Sequence, residues 1–348
     1  MNKIIVAFAA LTLLNACNSS TDNTNAKQDQ QKKNLTVSID GSSTVYPISE
    51  AVAEEYGKQN PDLKVTIAES GTGGGMKKFS AGEIDICDAS RPIKKEEADA
   101  CAVKNIKYIE LPIAYDGLSV VVNPKNTWVD KLTVAELKKI WSSAAQGKIT
   151  SWNQVRPGFP NKAIKLFGPG TDSGTFDYFC EVINGKRGDH RGDYTASEDD
   201  NILVQGVSSD EGAIGYFGLA YYEGNSDKLK LIPIDDGNDA NGKGAILPTL
   251  ETVQNGTYAP LSRALFLYAN TAAESRQEVK DFLSYYLQNV PKLSKEVGYI
   301  PLQDDLYPIV TQRLQNTVTG SLYTNGEEMG TTLEGLLKGN AATSSETH

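Results

Sequence analysis

Three turns combine glycine with hydroxyl side chains in a pattern suited to holding a small oxyanion. They are Asp40-Gly-Ser-Ser-Thr-Val-Tyr-Pro47, Glu69-Ser-Gly-Thr-Gly-Gly-Gly-Met76 and Gly168-Pro-Gly-Thr-Asp-Ser-Gly-Thr-Phe176. Each follows a strand-like run and precedes a helix-like one. A helix start leaves its first N–H groups without intrahelical partners and carries partial positive charge. Glycine lets the backbone approach a ligand closely, and Ser and Thr add hydroxyl donors. Any one such turn also reads as plain helix capping. Three in one chain point to a shared anion site, and three helix starts meet on one tetrahedral oxyanion only from different lobes, across a cleft. A fourth segment, Asp88-Ala-Ser-Arg-Pro92, adds Arg91. Its planar, permanently charged guanidinium can take two oxyanion oxygens at once or pair with a carboxylate such as Asp88.

Other chemistries fit less well. The two histidines, His190 and His348, are too few for a multi-His metal site. No GxSxG elbow occurs, and His190 stands alone as a candidate triad base, which argues against a serine hydrolase. Gly237 to Lys243 begins like a phosphate-binding P-loop, but Gly244 stands where Ser or Thr is required, so it reads as a turn. Arg187-Gly-Asp189 and Arg191-Gly-Asp193 look like adhesion tripeptides within a charged loop. Lys and Arg number 34 against 44 Asp and Glu, a formal charge of −10. Nucleic-acid binding would want the opposite field, so any anion must be held by local donors.

The elements that position these turns alternate. Residues 35–39, 65–68, 84–86, 106–110, 118–123, 164–167, 213–216, 229–234 and 264–267 read as strands. Helices are predicted from Pro47, over 73–81, from the Thr133-Val-Ala-Glu136 capping box, over 175–183, and along the stripe Val279, Phe282, Leu283, Tyr286 and Leu287. This order predicts an α/β fold with a largely parallel or mixed sheet. The length exceeds what one hydrophobic core usually serves, so two lobes with a cleft are expected.

The N-terminus reads as an address. A basic start precedes an apolar run over 4–14, shorter than the ~20 residues a membrane-crossing helix needs and suited to a secretory signal. Leu14-Asn15-Ala16-Cys17 resembles a lipoprotein lipobox, with residues 1–16 removed and Cys17 lipidated. Residues 18–34 are polar apart from Ala26 and read as a disordered tether. Export permits disulfides. Cys87 could pair with Cys101, Cys180 could pair with either, or thiols could remain; no CxxC spacing decides.

At its loops the sequence resembles the substrate-binding proteins of phosphate ABC transporters, the PstS-like family. Matching stretches include Asp40-GSSTVYPISEAVAEEY-Gly57, Ser70-GTGGGMKKFSAGEIDI-Cys87, Ala89-SRP-Ile93 and Gly168-PGTDSGTFDYF-Cys180, within a likeness running over about residues 35–340. The resemblance implies a two-lobed type II periplasmic-binding-protein fold, with lobe I over 35–112 plus 262–340 and lobe II over 113–261. The chain would cross between lobes near 109–117 and 260–268. It further implies an exported, lipid-anchored monomer that performs no catalysis, needs no cofactor or metal, and delivers phosphate to a membrane permease. Another oxyanion (sulfate, molybdate or arsenate) on the same fold is the alternative. The family's first phosphate loop falls on Ser43, Thr44 and Val45, the second loop's hydroxyl on Thr72, and the third loop on Ser173, Gly174 and Thr175. Ser90 stands where some relatives carry an Asp that accepts the phosphate proton, and Pro169 where some carry an Arg. Arg91 is then expected to supply the charge and Asp88 or Asp172 the acceptor, with Arg191 a secondary candidate.

Overall fold

The computed structural model describes residues 35–171, 173–240, 242–323 and 332–345, the side chains of 340–345 excepted. The signal segment, Cys17, the tether and Asp172 lie outside the described residues. Among the described residues no helix is long and apolar enough to cross a membrane.

The chain opens with β1 (Leu35–Gly41), α1 (Tyr46–Gln59), β2 (Leu63–Ala68), α2 (Gly71–Ala81), β3 (Ile86–Ala89) and α3 (Lys95–Val103). β1 pairs in parallel with β2 on one side and β3 on the other. Pro47 at the first turn of α1 fits a position whose N–H has no partner anyway. Gly41, at φ 146°, is required by close approach, since a Cβ there would lie 2.0 Å from the Asp88 carbonyl oxygen. The long helix Gln277–Glu296 buries the predicted stripe and packs on α1, where the Tyr56 and Phe282 rings meet edge to face at 5.5 Å.

The expected strands at 106–110 and 118–123 are one strand, β4 (Tyr108–Val122), buried at every residue but its first. Pro112 is accommodated because the register against the strand Ser262–Asn270 shifts between Leu265 and Phe266, the latter lying opposite Pro112; such an irregularity tolerates a residue with no N–H. The first two-thirds of β4 pairs antiparallel with Ser262–Asn270, which also pairs with β3. The last third, Leu118 to Val122, pairs antiparallel with Ala213–Gly218. Beyond that strand lie Lys165–Pro169 and then Thr195–Ser197, both parallel. One ten-stranded sheet therefore curls through both halves of a two-lobed α/β fold. The expected strand 229–234 is two short ones, Lys230–Leu231 and Ile234–Asp235. The expected helix 175–183 is Gly174–Phe179 followed by a wider turn, Cys180–Asn184.

The hydroxyl-rich turns follow β1, β2 and Lys165–Pro169, and the Ser90-Arg91 turn follows β3. All four sit at carboxyl ends of parallel strands, where open α/β sheets place ligands. Cys87, Cys101 and Cys180 are buried free thiols; none of the three pairings forms.

Candidate functional site

Asp40, at the end of β1, ties the first two turns together. Its carboxylate accepts the Ser70 N–H at 2.9 Å and the Ser70 hydroxyl at 2.7 Å, and pairs with Lys78 of α2. Burial pushes this carboxyl up, but the Lys78 and Ser70 hydrogen bonds prevail and hold it below its ordinary value. The turns are thereby fixed against each other before any ligand arrives.

A cavity of about 710 Å³ lies between the two halves. Ser43 and Thr44 of the first turn, Thr72 of the second, Ser90 and Arg91 after β3, and Gly174 of the third turn all line it. Thr72 and Ser90 hydroxyls lie 3.2 Å apart, and the Ser90 N–H donates to Thr72 Oγ1. Gly174 faces Thr44 across the cleft. A Cβ on Gly174 would lie 2.7–2.8 Å from Thr44 Oγ1, Cα and N, so no larger residue fits this contact.

Sequence reasoning missed the central residue, Arg263. Its Nη2 donates to Thr44 Oγ1 at 2.8 Å and its Nη1 to Ser90 Oγ at 3.1 Å. Its Nε and Nη2 reach Asp116 Oδ2 at 3.3 and 3.2 Å. The guanidinium carbon stacks 3.5 Å from the centre of the Tyr178 ring, and Tyr178 donates its own O–H to the Pro260 carbonyl at 2.6 Å. Arg263 and Asp116 are direct cross-strand partners where β4 and Ser262–Asn270 run side by side between the halves. Asp116 is 3% exposed; burial raises its carboxyl above the ordinary range, while the Arg263 charge acts to lower it. An arginine and an aspartate on the two segments expected to cross between lobes was a readable signal.

Several expected residues take other places. Arg91 lines the cavity, but its guanidinium grips Glu97 at 2.7 and 2.9 Å and the Pro92 carbonyl at 3.0 Å; the capping residue of α3 holds the charge that was expected to serve an anion. Asp88 is 1% exposed and is not among the described lining. It is buried on the α1 side, beside Ser49, with burial pushing its carboxyl up to about 8. Arg191 is buried elsewhere, clamped by Asp193 at 2.6 and 2.8 Å and by the Ile140 and Ile149 carbonyls. This contact also ties up the second adhesion-like tripeptide. Val45 is fully buried and, with Ser173 and Thr175, absent from the described lining.

The amides expected to face a ligand are partly occupied. Thr44 N–H donates to Ser42 Oγ at 3.2 Å, Val45 N–H to the Ser42 carbonyl at 3.1 Å, and Thr175 N–H to Ser173 Oγ at 3.2 Å. Ser42 ties up amides of its own turn and Ser173 caps its helix, and the side-chain hydroxyls of Ser43, Thr44, Thr72 and Ser90 are left as the ligand-facing groups. His190 is packed between Trp141, Phe176 and Tyr194, and burial lowers it to about 4. A neutral core histidine cannot be the base of a nucleophile in this cleft.

A two-lobed sheet with a hydroxyl-lined interlobe cavity is the architecture of a type II periplasmic binding protein. A family model described as a PBP superfamily domain matches residues 18–290. Protein SphX of Synechococcus elongatus is 52% identical over 311 residues, covering 89% of this chain and 90% of the relative. The phosphate-binding protein PstS of Staphylococcus saprophyticus is 38% identical over 313 residues, covering 90% and 93%. A solved structure from Planctomyces limnophilus, described as a possible phosphate binding protein, is 50% identical, with TM-score 0.78, covering 81% of this chain and 98% of that one. The chain belongs to the PstS-like family of substrate-binding proteins, which are not enzymes.

Proposed function

We propose that this protein captures inorganic phosphate in the interlobe cavity and hands it to an ABC permease for import. Arg263 supplies the charge, the hydroxyls of Ser43, Thr44, Thr72 and Ser90 supply directional donors, and Gly174 closes from the other side. Lobe I comprises 35–112 plus 262–340 and lobe II 113–261. The protein acts as an exported monomer, lipidated at Cys17 and tethered by residues 18–34. The relatives named as phosphate-binding support the ligand. The observation that carries the reading is one guanidinium gripping hydroxyls from two turns inside the cavity, at 2.8 and 3.1 Å. Charge-assisted hydrogen bonds in a partly desolvated cleft support micromolar or tighter binding, about −8 kcal/mol or better.

Titration calorimetry of the purified protein with phosphate and with sulfate tests this. Phosphate is expected to bind one per chain, with sulfate weaker. Tighter sulfate binding would transfer the site to another oxyanion of the same class.

A further inference from the structure

We propose that the cavity also accepts a condensed phosphate, inorganic diphosphate, with one phosphoryl group at Arg263 and the second toward the mouth, among Lys94, Lys186 and Arg187. This rests on the phosphate reading and widens the ligand class of the same cleft.

Size is the first argument. The cleft, open to solvent on one side, offers about 710 Å³, room for more than one tetrahedral oxyanion. The walls already touch, Gly174 against Thr44 and Arg187 against Gly71, where an added Cβ would lie 2.9 Å from Nη1. The volume is what remains with those contacts made.

Charge is the second. The outer lining carries Arg91, Lys94, Lys186 and Arg187 beside the carboxylates Asp177 and Glu181. Arg91 is spoken for by Glu97, and Arg187 shares Asp177. Lys94, after β3, and Lys186, from the other wall, line the cavity and form no ion pair among the described residues. Two lysines without an ion pair, one from each wall, give the outer cavity cationic groups for one further anion.

Continuity is the third. Arg263 reaches Ser90, Ser90 lies 3.2 Å from Thr72, and Gly71, the residue before Thr72, abuts Arg187. The outer cationic region therefore begins one residue beyond the hydroxyls of the inner site. A second phosphoryl group joined through a bridging oxygen would extend along that path.

The test is calorimetry with orthophosphate and with inorganic diphosphate, in metal-free buffer at about 0.15 M salt. Diphosphate is expected to bind one per chain and to compete with orthophosphate. The Lys94→Gln/Lys186→Gln variant should lose at least about tenfold in diphosphate affinity while orthophosphate stays within about twofold. Diphosphate that fails to displace orthophosphate overturns the proposal. So does a variant that weakens both ligands equally, the behaviour of lysines that merely steer anions. Failure of orthophosphate itself to bind strikes the underlying reading instead, so the two failures are distinguishable.

Discussion

Exchanging the two arginines of the cleft in turn separates their roles. Arg263→Gln removes a guanidinium that meets Thr44 and Ser90 directly. A hydrogen bond to a charged group contributes about 1.5–3 kcal/mol, so losing the ligand's share of this one should weaken phosphate roughly 10- to 150-fold at about 1.4 kcal/mol per decade. Arg91→Ala removes a guanidinium already neutralised by two bonds to Glu97, and phosphate affinity should stay within about threefold. Arg263→Gln also strands Asp116, 3% exposed. An unpaired buried charge costs about 3–5 kcal/mol, softened here because burial already raises the Asp116 carboxyl toward the protonated form. Adding Asp116→Asn should recover thermal stability without recovering binding, which separates the ligand effect from unfolding. Calorimetry and thermal melts on the three variants read all of this. A large loss for Arg91→Ala beside near-normal binding in Arg263→Gln would refute the assignment.

Gly174→Ala would press a Cβ within 2.7–2.8 Å of the Thr44 backbone and hydroxyl, and should weaken phosphate by about tenfold with little change in melting temperature; unchanged affinity would mean the two turns separate freely. Asp88 should make stability fall as pH rises. Its carboxyl keeps its proton up to about 8 in the fold against 3.8 ordinarily, so the unfolded chain binds fewer protons between about pH 4 and 8. The destabilisation grows across that window to on the order of 5 kcal/mol and is constant above it. Asp88→Asn should therefore raise the melting temperature more at pH 8 than at pH 5, and an equal effect at both would contradict the burial argument. Alkylation of denatured, unreduced protein should label Cys87, Cys101 and Cys180, each a free thiol; an unlabelled pair in the peptide map would reveal a disulfide.

The strand–helix alternation and the positions of the hydroxyl turns were legible because each rests on local pattern: period, capping residues and glycines beside close backbone approaches, as at Gly41. β4 was misread as two strands because Pro112 and Gly117 are local breakers, whereas its continuity is set by partners more than a hundred residues away. Arg91 attracted the anion role because it adjoins a motif, and the sequence gives no direct sign that Glu97, six residues on, folds back to hold it. Ser173, which caps its own helix, shows the same limit. Whether a serine in such a turn serves a ligand or its own helix depends on χ angles that pattern does not encode. Arg263 carried no motif, and its signal was relational, an opposite charge on each of two expected crossings.

The location of Arg263 also explains how an acidic chain can hold a dianion. It stands on the antiparallel pair that both halves share, so the turns and the Gly174–Phe179 helix are brought to it. Asp116 behind it cancels much of its long-range field, and the chain's net charge is −10. Anions are therefore not gathered by a broad positive potential, which would favour any of them equally. The attraction becomes strong only at contact, where the Nη atoms and the Thr44, Thr72 and Ser90 hydroxyls impose fixed directions. A hydroxyl rotates to donate to an oxyanion oxygen whether or not that anion carries a proton, and Thr44 and Ser90, whose oxygens already accept from Arg263, are left to do so. A compensated charge surrounded by oriented hydroxyls thus trades capture range for directional binding at contact.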